Sequence, residues 1–170
     1  MSAFAACFFA AISGNAWGQN QQSYGQYYEE EKIWGEVEAP LPDFPMPGNL
    51  IEIYVSAASS NKFFVDAKSV SAGADGVVRY ALVIKTTGGS TNVSFEGIRC
   101  QTKERKLYAL GHGDGSWKKA RGSSWAAISG AGTNSYHAVL WKEYFCPGGI
   151  VITSAEEGVA ALRRGGPLAR

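Results

Sequence analysis

The sequence predicts an α+β domain, with an antiparallel β-sheet of about five to six short strands, one or two C-terminal helices packed on it, and one disulfide. Three observations in the 170-residue chain predict this fold class. Alternating apolar residues on both sides of Gly88-Gly89 indicate a long β-hairpin. Apolar residues at helical spacing follow in the last third of the chain. Two cysteines, Cys100 and Cys146, are placed so that they can join these two parts.

Residues 1–18 have the features of a secretory signal peptide. The apolar run Ala3–Ile12 is followed by small residues ending at Gly18, so we expect cleavage before Gln19. The run has about half of the ~20 residues that a membrane span needs, and we therefore expect no transmembrane segment. This predicts a periplasmic protein, with a secreted or surface-attached protein as the alternative. A buried N-terminal helix is the competing interpretation of the same run.

Residues 19–48 are expected to be a disordered, proline-rich tether. Gln19–Lys32 is polar and repetitive, and Glu36–Pro47 holds four of the six prolines, which favours an extended chain. Residues 19–61 contain seven acids and one base, a net charge of −6, whereas residues 62–170 have a net charge of +7. The leader is either a solvated acidic segment or folds back on a basic face, where it competes with an anionic partner.

Residues 49–165 are expected to form the single α+β domain, and its first elements are strands. Leu50–Val55 and Lys62–Asp66 are rich in aromatic and β-branched residues. The turn cluster Ala72–Gly76 precedes the clearest pattern in the sequence. There, Val77–Thr87 and Ser90–Cys100 read as a hairpin with Gly88-Gly89 as a two-residue turn.

The expected register of this hairpin places every large apolar side chain on one face. A β-bulge at Glu96-Gly97 is needed to bring Ile98 and Cys100 onto the same face as Val93. The same register sets Arg79 opposite Arg99 on the other face. Like charges across a ladder repel, so an anionic neighbour is expected there.

A third strand, Arg105–Leu110, extends this face, because its simplest register brings Lys106 beside Arg99. Arg79, Arg99 and Lys106 are therefore the candidate anion-binding or partner-binding residues. The alternative is an ordinary surface network in which Glu96, Glu104 or Asp66 neutralises the three bases.

A second candidate surface combines aromatic and basic residues. Trp117 and Trp125 bracket Lys118, Lys119 and Arg121, a mixture that can stack on a ligand. The alternative is that the two tryptophans close one end of the core. The candidate residues of this aromatic and basic surface are Trp117, Lys119, Arg121 and Trp125.

The last third of the chain changes to a helical period. Ser135–Phe145 carries an apolar stripe, and Ser154–Glu157 has capping-box spacing ahead of a second short helix, Gly158–Arg164. Residues 166–170 are expected to be a frayed tail. In an oxidising compartment Cys100 and Cys146 should pair and fasten the first helix to the sheet. Two buried free thiols are the alternative.

No residue set in the sequence predicts a reaction. The near-zero net charge argues against nucleic-acid binding, and with two histidines and no Cys-x-x-Cys we expect no metal and no cofactor. His112 lies in a glycine turn, and His137 is expected on the polar side of its helix. Asp66 with Glu96 is the one carboxylate pair that neighbouring strands offer. We therefore name no catalytic residue and expect a non-catalytic binding or envelope-structural module, with a periplasmic hydrolase using a strand carboxylate or histidine as the alternative.

Four segments together closely resemble the cryptic neisserial protein-like family of small exported proteins from Gram-negative bacteria. These segments are Phe64–Asp66 with Ser69, Asp75–Tyr80, Asn92–Cys100 and Glu143–Cys146. The resemblance covers about residues 50–164 and implies a periplasmic location and a fold, without an activity. A remoter similarity to surface-adhesin protein E implies host-protein binding by analogy alone. The partner is thus an unknown envelope or host protein, and the sequence leaves the oligomeric state open.

Overall fold

The computed structural model describes residues 33–38, 40–130 and 135–165, and residues from Trp34 onward form one compact unit. The predicted signal peptide, the first part of the leader and the predicted tail at 166–170 lie outside the described residues. The predicted fold class is confirmed: a mostly antiparallel sheet packs against C-terminal helices. Within these described ranges the sheet has eight strands, more than the five to six expected.

The two additional strands are short pairings at the ends of longer ones. β3 pairs with β4 and β8 pairs with β6, while the remaining six strands follow the order β1-β2-β4-β5-β6-β7. The strands are β1 Leu50–Ile53, β2 Lys62–Asp66, β3 Ser71–Ala72, β4 Val77–Lys85, β5 Thr91–Arg99, β6 Glu104–Gly111, β7 Trp117–Lys119 and β8 Ala126–Ala127.

Both faces of the central strand β4 are covered. Seven consecutive residues of β4, from Val77 to Val83, are buried, so the strand does not alternate between a core side and a solvent side. Val78, Tyr80 and Leu82 point into the hydrophobic core beneath the helices. We call that side the helix face and the opposite side, which carries Arg79, the second face.

The helices cover the helix face. α1 runs from Ser135 to Val139 and continues as a π-helical turn, Leu140–Phe145, which the Cys146 N–H closes on the Trp141 carbonyl at 2.8 Å. Tyr136, Leu140 and Tyr144 enter the core as the apolar stripe predicts. α2 runs from Ala155 to Arg163, and its N-cap Ser154 accepts a hydrogen bond from the Glu157 N–H at 3.2 Å.

The predicted disulfide between Cys100 and Cys146 is confirmed. Cys100 follows the end of β5 and Cys146 follows the π-helical turn, with 5.5 Å between their Cα atoms. Both residues are buried in the core. The bond thus fastens the first C-terminal helical segment to the centre of the sheet.

The predicted hairpin register is wrong by one residue at the turn. Only Gly89 of the glycine pair has a positive φ, and the Thr86 N–H bonds the Ser90 carbonyl at 2.9 Å, so three residues form the loop. A three-residue loop needs a single left-handed residue at its last position, which Gly89 supplies. As a result Tyr80 lies opposite Glu96, and Arg79 lies opposite Gly97 instead of Arg99.

The β-bulge also lies elsewhere. The β4–β5 ladder is continuous, and the irregularity falls between β5 and β6, where Tyr108 is the extra residue opposite Phe95 and Glu96. Ile98 therefore faces the helices while Val93 belongs to the second face. The prediction that all large apolar side chains lie on one face is therefore wrong. The sheet is buried on both sides, and each side carries apolar residues.

The described part of the proline-rich segment lies on the second face. Residues 34–38 and 40–44, which we call the strap, form no helix or strand. Aromatic residues at both ends bring this segment onto the sheet: the Trp34 ring contacts that of Trp125, and the Phe44 ring contacts that of Trp117. Within the described residues, no helix is long and apolar enough to cross a membrane.

Candidate binding face

The second face of the sheet brings together residues from both sequence-predicted surfaces. Its centre is an ion pair between Arg79 of β4 and Asp75 in the turn before it. Arg79 Nη2 lies 2.6 Å from Asp75 Oδ2, and the side chains are 2% and 0% exposed. Partial burial opposes the charge of Asp75, but the hydrogen bonds from Arg79 and Val37 outweigh it and hold the pKa of Asp75 below its ordinary value.

This ion pair binds the backbone of the strap at Val37. The Val37 N–H donates to Asp75 Oδ2 at 2.8 Å, and the Val37 carbonyl accepts from Arg79 Nη2 at 2.7 Å. Both contacts use main-chain atoms of Val37, a residue that is about half exposed. The Asp75–Arg79 pair therefore recognises an extended peptide unit without regard to its side chain.

The carboxylate of Glu36, the preceding strap residue, occupies a polar site beside this pair. It accepts from Lys106 Nζ at 2.7 Å, from the Tyr108 hydroxyl at 2.7 Å and from Trp125 Nε1 at 3.2 Å. Partial burial raises the pKa of Glu36, but these three hydrogen bonds lower it by more, so the net pKa lies below the ordinary value. The site is thus built for an ionised carboxylate.

Aromatic contacts hold the two ends of the strap. Trp34 donates its Nε1–H to the Asp75 carbonyl at 2.8 Å, and the Arg99 guanidinium lies 3.8 Å from the centre of its ring. At the other end Trp117 donates to the Pro42 carbonyl at 2.9 Å, and its ring lies 5.2 Å from that of Phe44. The strap therefore spans the sheet between Trp125 and Trp117.

The predicted basic stripe is neutralised by the chain itself. Arg79 is paired with Asp75, Arg99 lies 3.9 Å from Glu104, and Lys106 is paired with Glu36. Of the three acids proposed for this role, Glu104 is in place, while Asp66 and Glu96 are not used. Lys106 lies opposite Gly97, not beside Arg99, because the turn after β5 comprises Cys100–Lys103 and places Glu104 opposite Arg99. Binding of an outside anion by these residues stays a prediction.

The remaining basic candidates line an open groove at the hairpin end of the sheet. This groove has a volume of about 420 Å³, and its lining includes the exposed basic residues His112, Lys118, Lys119 and Arg121. Among the residues that the structure describes, no carboxylate lies within 4.0 Å of Lys118, Lys119 or Arg121. Asp114 in the adjacent turn is close enough to His112 to interact electrostatically. We call this site the cationic groove.

A buried acid and histidine lie on the helix face. His137 Nε2 and Glu96 Oε2 are 2.8 Å apart, and Glu96 also accepts from Ser94 at 2.7 Å and from Tyr80 at 3.2 Å. The expectation that His137 lies on the polar side of its helix is wrong, because the register places Glu96 beneath α1 as its partner. Burial raises the pKa of Glu96, but the hydrogen bonds from His137, Ser94 and Tyr80 lower it further, below its ordinary value.

The carboxylate pair considered for hydrolysis is not formed. Glu96 lies opposite Tyr80, so its side chain is on the helix face. Val65 lies opposite Leu82 and is on the helix face as well, so the next residue, Asp66, points to the second face. Asp66 is buried, and burial raises its pKa. In the described chain, no group of three or more His, Cys, Asp or Glu residues could hold a metal ion.

A wider cleft of about 890 Å³ lies between the segment after β1 and the first C-terminal helix. Tyr54, Val139 and Lys142 contribute to its lining. The cleft adjoins Gly130 and Gly165, after each of which the described part of the chain stops. None of the residues predicted as sites from the sequence lines it.

Sequence reasoning offered a leader folded back on a basic face as one alternative, but it did not identify Trp34 and Glu36 of the strap or their neighbour Asp75. Two signals point to them. Apolar residues occupy both faces of Val77–Val83, which indicates that something other than water covers each side. Trp34 and Phe44 are also large aromatic residues, one just before and one within the proline-rich part of the leader. Asp75 lies four residues before Arg79 in the turn, where the sequence showed only a turn signal.

Fold and site together define a class of protein: an antiparallel sheet fastened by a disulfide to C-terminal helices and crossed on its second face by an extended strap. The chain belongs to the CNP1-like family, whose model matches residues 29–163. The match confirms the family resemblance found in the sequence and extends it upstream to include the strap.

The chain is 30% identical over 125 residues to Cryptic neisserial protein 1 of Neisseria gonorrhoeae (strain ATCC 700825 / FA 1090). The aligned stretch covers 65% of this chain and 61% of that relative. The chain thus spans about three fifths of the length of the curated relative it matches. No solved structure matches the chain.

Proposed function

We propose that this protein is an exported, periplasmic protein that acts as a non-catalytic binding module, and that the cationic groove binds an anionic component of the cell envelope. The observation behind this proposal is a contrast among the basic residues. Those under the strap are satisfied by acids of the same chain, while Lys118, Lys119 and Arg121 line an open groove without such partners in the described chain.

The chemistry of the groove supports an anion as the ligand. Four basic side chains border a space of about 420 Å³, which falls within the size range of small-ligand sites. Thr91 and Asn92 add polar groups that can donate hydrogen bonds to oxyanions. Leu110, which is 49% exposed, adds an apolar contact within the same groove.

The arrangement of the histidines supports a non-catalytic role. His137 and Glu96 are 2% and 5% exposed, enclosed between the sheet and α1, where a substrate does not reach them. A general base needs hydrogen-bond access to the proton it takes from the substrate. His112 is exposed in a turn, and its electrostatic neighbour Asp114 is itself bonded to Ser116 at 2.7 Å.

Two sequence features support export: the apolar run at residues 3–12 and the pair of cysteines that forms the single disulfide. Cell fractionation with alkylation of free thiols tests this part. We expect the protein in the periplasmic fraction with Cys100 and Cys146 protected from alkylation. Recovery from the cytoplasm with Cys100 and Cys146 both alkylated would contradict export.

Capture from an envelope extract tests the groove. Oxidised protein is immobilised, and the bound material is measured at increasing salt for the wild type and for K118S/K119S/R121S. The matched control K68S/R163S/R164S removes the same charge from exposed positions elsewhere. We expect the groove variant to lose at least tenfold in capture, with wild-type capture falling as salt rises. Equal losses in both variants would show that capture follows net charge and would overturn the groove assignment.

A further inference from the structure

The strap is held like a peptide ligand. Three features of it are recognised in order along the chain: the aromatic ring of Trp34, the carboxylate of Glu36 and the backbone of Val37. Each has its own receiving group on the sheet. Trp125 and Arg99 contact the ring, Lys106 and Tyr108 bind the carboxylate, and the Asp75–Arg79 pair binds one main-chain N–H and one carbonyl.

The receiving face is built without the strap. Arg79 and Asp75 hold each other through two hydrogen bonds, of 2.6 and 3.2 Å, that belong to the sheet and its preceding turn. Tyr108 is fixed against Phe95, with 5.4 Å between ring centres. Gly97 leaves room for Tyr108, since a Cβ atom there would lie 2.7 Å from its ring. These groups are therefore positioned before any peptide arrives, which favours binding.

The strap lies outside the buried cluster on the helix face, although it packs against the buried Arg79 of the second face. None of its described residues is fully buried, and the buried core cluster begins at Ile53, downstream of the strap. The described part of the strap also forms no β-ladder with the sheet; the side chains of Asp75, Arg79 and Trp117 bond its main-chain atoms. A segment of this kind can leave its site while the core and the disulfide stay intact.

We propose that the face under the strap is a docking site for an extended acidic peptide of another protein, and that the strap fills this site within its own chain. The peptide that fits carries an aromatic residue two positions before a carboxylate, followed by a proline-containing extended segment. Proline favours the extended form and lowers the entropy lost on binding. This inference does not depend on the cationic groove, which shares none of these contacts.

The charges favour this partner. Lys106 faces Glu36, and Arg99 lies over the Trp34 ring, so removing the strap uncovers two cations together with Tyr108 and Trp125. An acidic aromatic peptide restores both contacts. A basic peptide would place its cation against Lys106. The same face is the basic surface that the sequence predicts, covered here by the acidic leader.

The first experiment uses the full-length wild-type protein and a synthetic peptide of residues 33–46. Hydrogen exchange of the Val37 amide reports strap release, because this N–H bonds Asp75. The strap competes at an effective concentration on the order of millimolar, so the added peptide is used at several millimolar. We expect at least tenfold faster exchange at Val37, and at least tenfold less effect from a peptide with Glu36→Gln. No change with either peptide would overturn the proposal.

The second experiment weakens the chain's own strap with Glu36→Gln, which removes the charge and keeps every aromatic contact. The labelled wild-type peptide should bind this variant at least tenfold more tightly than it binds the wild-type chain. Adding Lys106→Met should cancel that gain, whereas the control Lys118→Met, which changes a lysine outside the strap contacts, should not. Unchanged peptide binding by Glu36→Gln, with a normal thermal unfolding curve, would show that the strap is a fixed part of the fold.

Two further experiments distinguish a peptide of another protein from the strap of a second copy. A displayed library of random 14-residue peptides, selected on the Glu36→Gln chain, should enrich an aromatic residue two positions before Asp or Glu; selection of unrelated sequences would overturn the proposal.

Sedimentation of the same chain should show a monomer at all concentrations. A concentration-dependent dimer that the added peptide dissociates would assign the face to the strap of a second copy, and the partner proposed here would be wrong.

Discussion

Arg79 lies directly beneath the strap and pairs with Asp75 at 2.6 Å, both side chains almost completely excluded from water. A residue that the sequence places on an exposed basic stripe is thus among the most buried in the molecule. Each partner also contacts the strap backbone, so one ion pair joins the sheet, its preceding turn and the leader. Because both charges are buried, each needs the other for the fold to be stable.

We therefore expect Arg79→Met to lower the free energy of unfolding by about 3 kcal/mol, because a buried charge on Asp75 is left without its partner. The measurement is urea unfolding at pH 7. Arg79→Met with Asp75→Leu should recover part of the loss, since it removes both charges. Lys118→Met, at an exposed position, is the control. A single variant as stable as the wild type would show that Arg79 belongs to an ordinary surface network.

Gly97→Ala should destabilise the protein by about 1–3 kcal/mol through overpacking. The new methyl group would lie 2.7 Å from Tyr108 Cε2 and 3.1 Å from Val77 Cγ1, so the Tyr108 ring must move. Tyr108 also binds Glu36, and we expect the Val37 amide to exchange faster in this variant. Gly113→Ala is the matched control, because nothing lies within 4 Å of its new methyl group. Equal melting temperatures for the two variants would contradict the described packing at Gly97.

Glu96→Gln should remove a pH-dependent part of the stability. The pKa of Glu96 is lower in the folded protein, so its ionised form stabilises the fold above the ordinary carboxyl pKa of 4.5. This contribution is lost as the pH falls through the lowered folded value. We expect the variant to be less stable by roughly 2 kcal/mol at pH 7. The difference from wild type should shrink below pH 4.5; a difference that stays constant from pH 7 to pH 3 would contradict it.

Replacing the disulfide by Cys100→Ala with Cys146→Ala should cost about 4 kcal/mol, since the bond closes a loop across a sequence separation of 46 residues. Thermal unfolding of the variant and of the wild type, with and without reductant, measures this loss. The reductant should lower the Tm of the wild type and leave that of the variant unchanged. If the wild type unfolds at the same temperature with and without reductant, the disulfide does not support the fold.

The sequence predicted the fold class because its strongest patterns were local. The hairpin in Val77–Cys100, the stripe from Tyr136 to Tyr144 and the Ser154 cap each depend on neighbours in sequence, and the structure has all three, although β4 is buried on both faces. The disulfide followed from cysteine count and compartment. None of these predictions depends on which face of the sheet is covered.

Register and the second face could not be predicted in the same way. Two local features decide the register. Only Gly89 of the glycine pair has a positive φ, so the turn takes three residues, and the β4–β5 ladder has no bulge; together they shift every predicted cross-strand pair. The strap depends on contacts between residues far apart in sequence, such as Glu36 with Trp125. An acidic leader and a basic face were weighed as a pair, but no local pattern shows that Glu36 is the residue that meets Lys106.

The order in which a ribosome makes the chain gives the strap a particular position in folding. Trp34 and Glu36 are synthesised early, yet Trp125, which contacts both, follows Glu36 by 89 residues. Until Trp125 has been synthesised, the strap lacks part of its binding site on the sheet and is accessible to other molecules. Docking of the strap is therefore a late step in folding, completed only after the strands beneath it have paired.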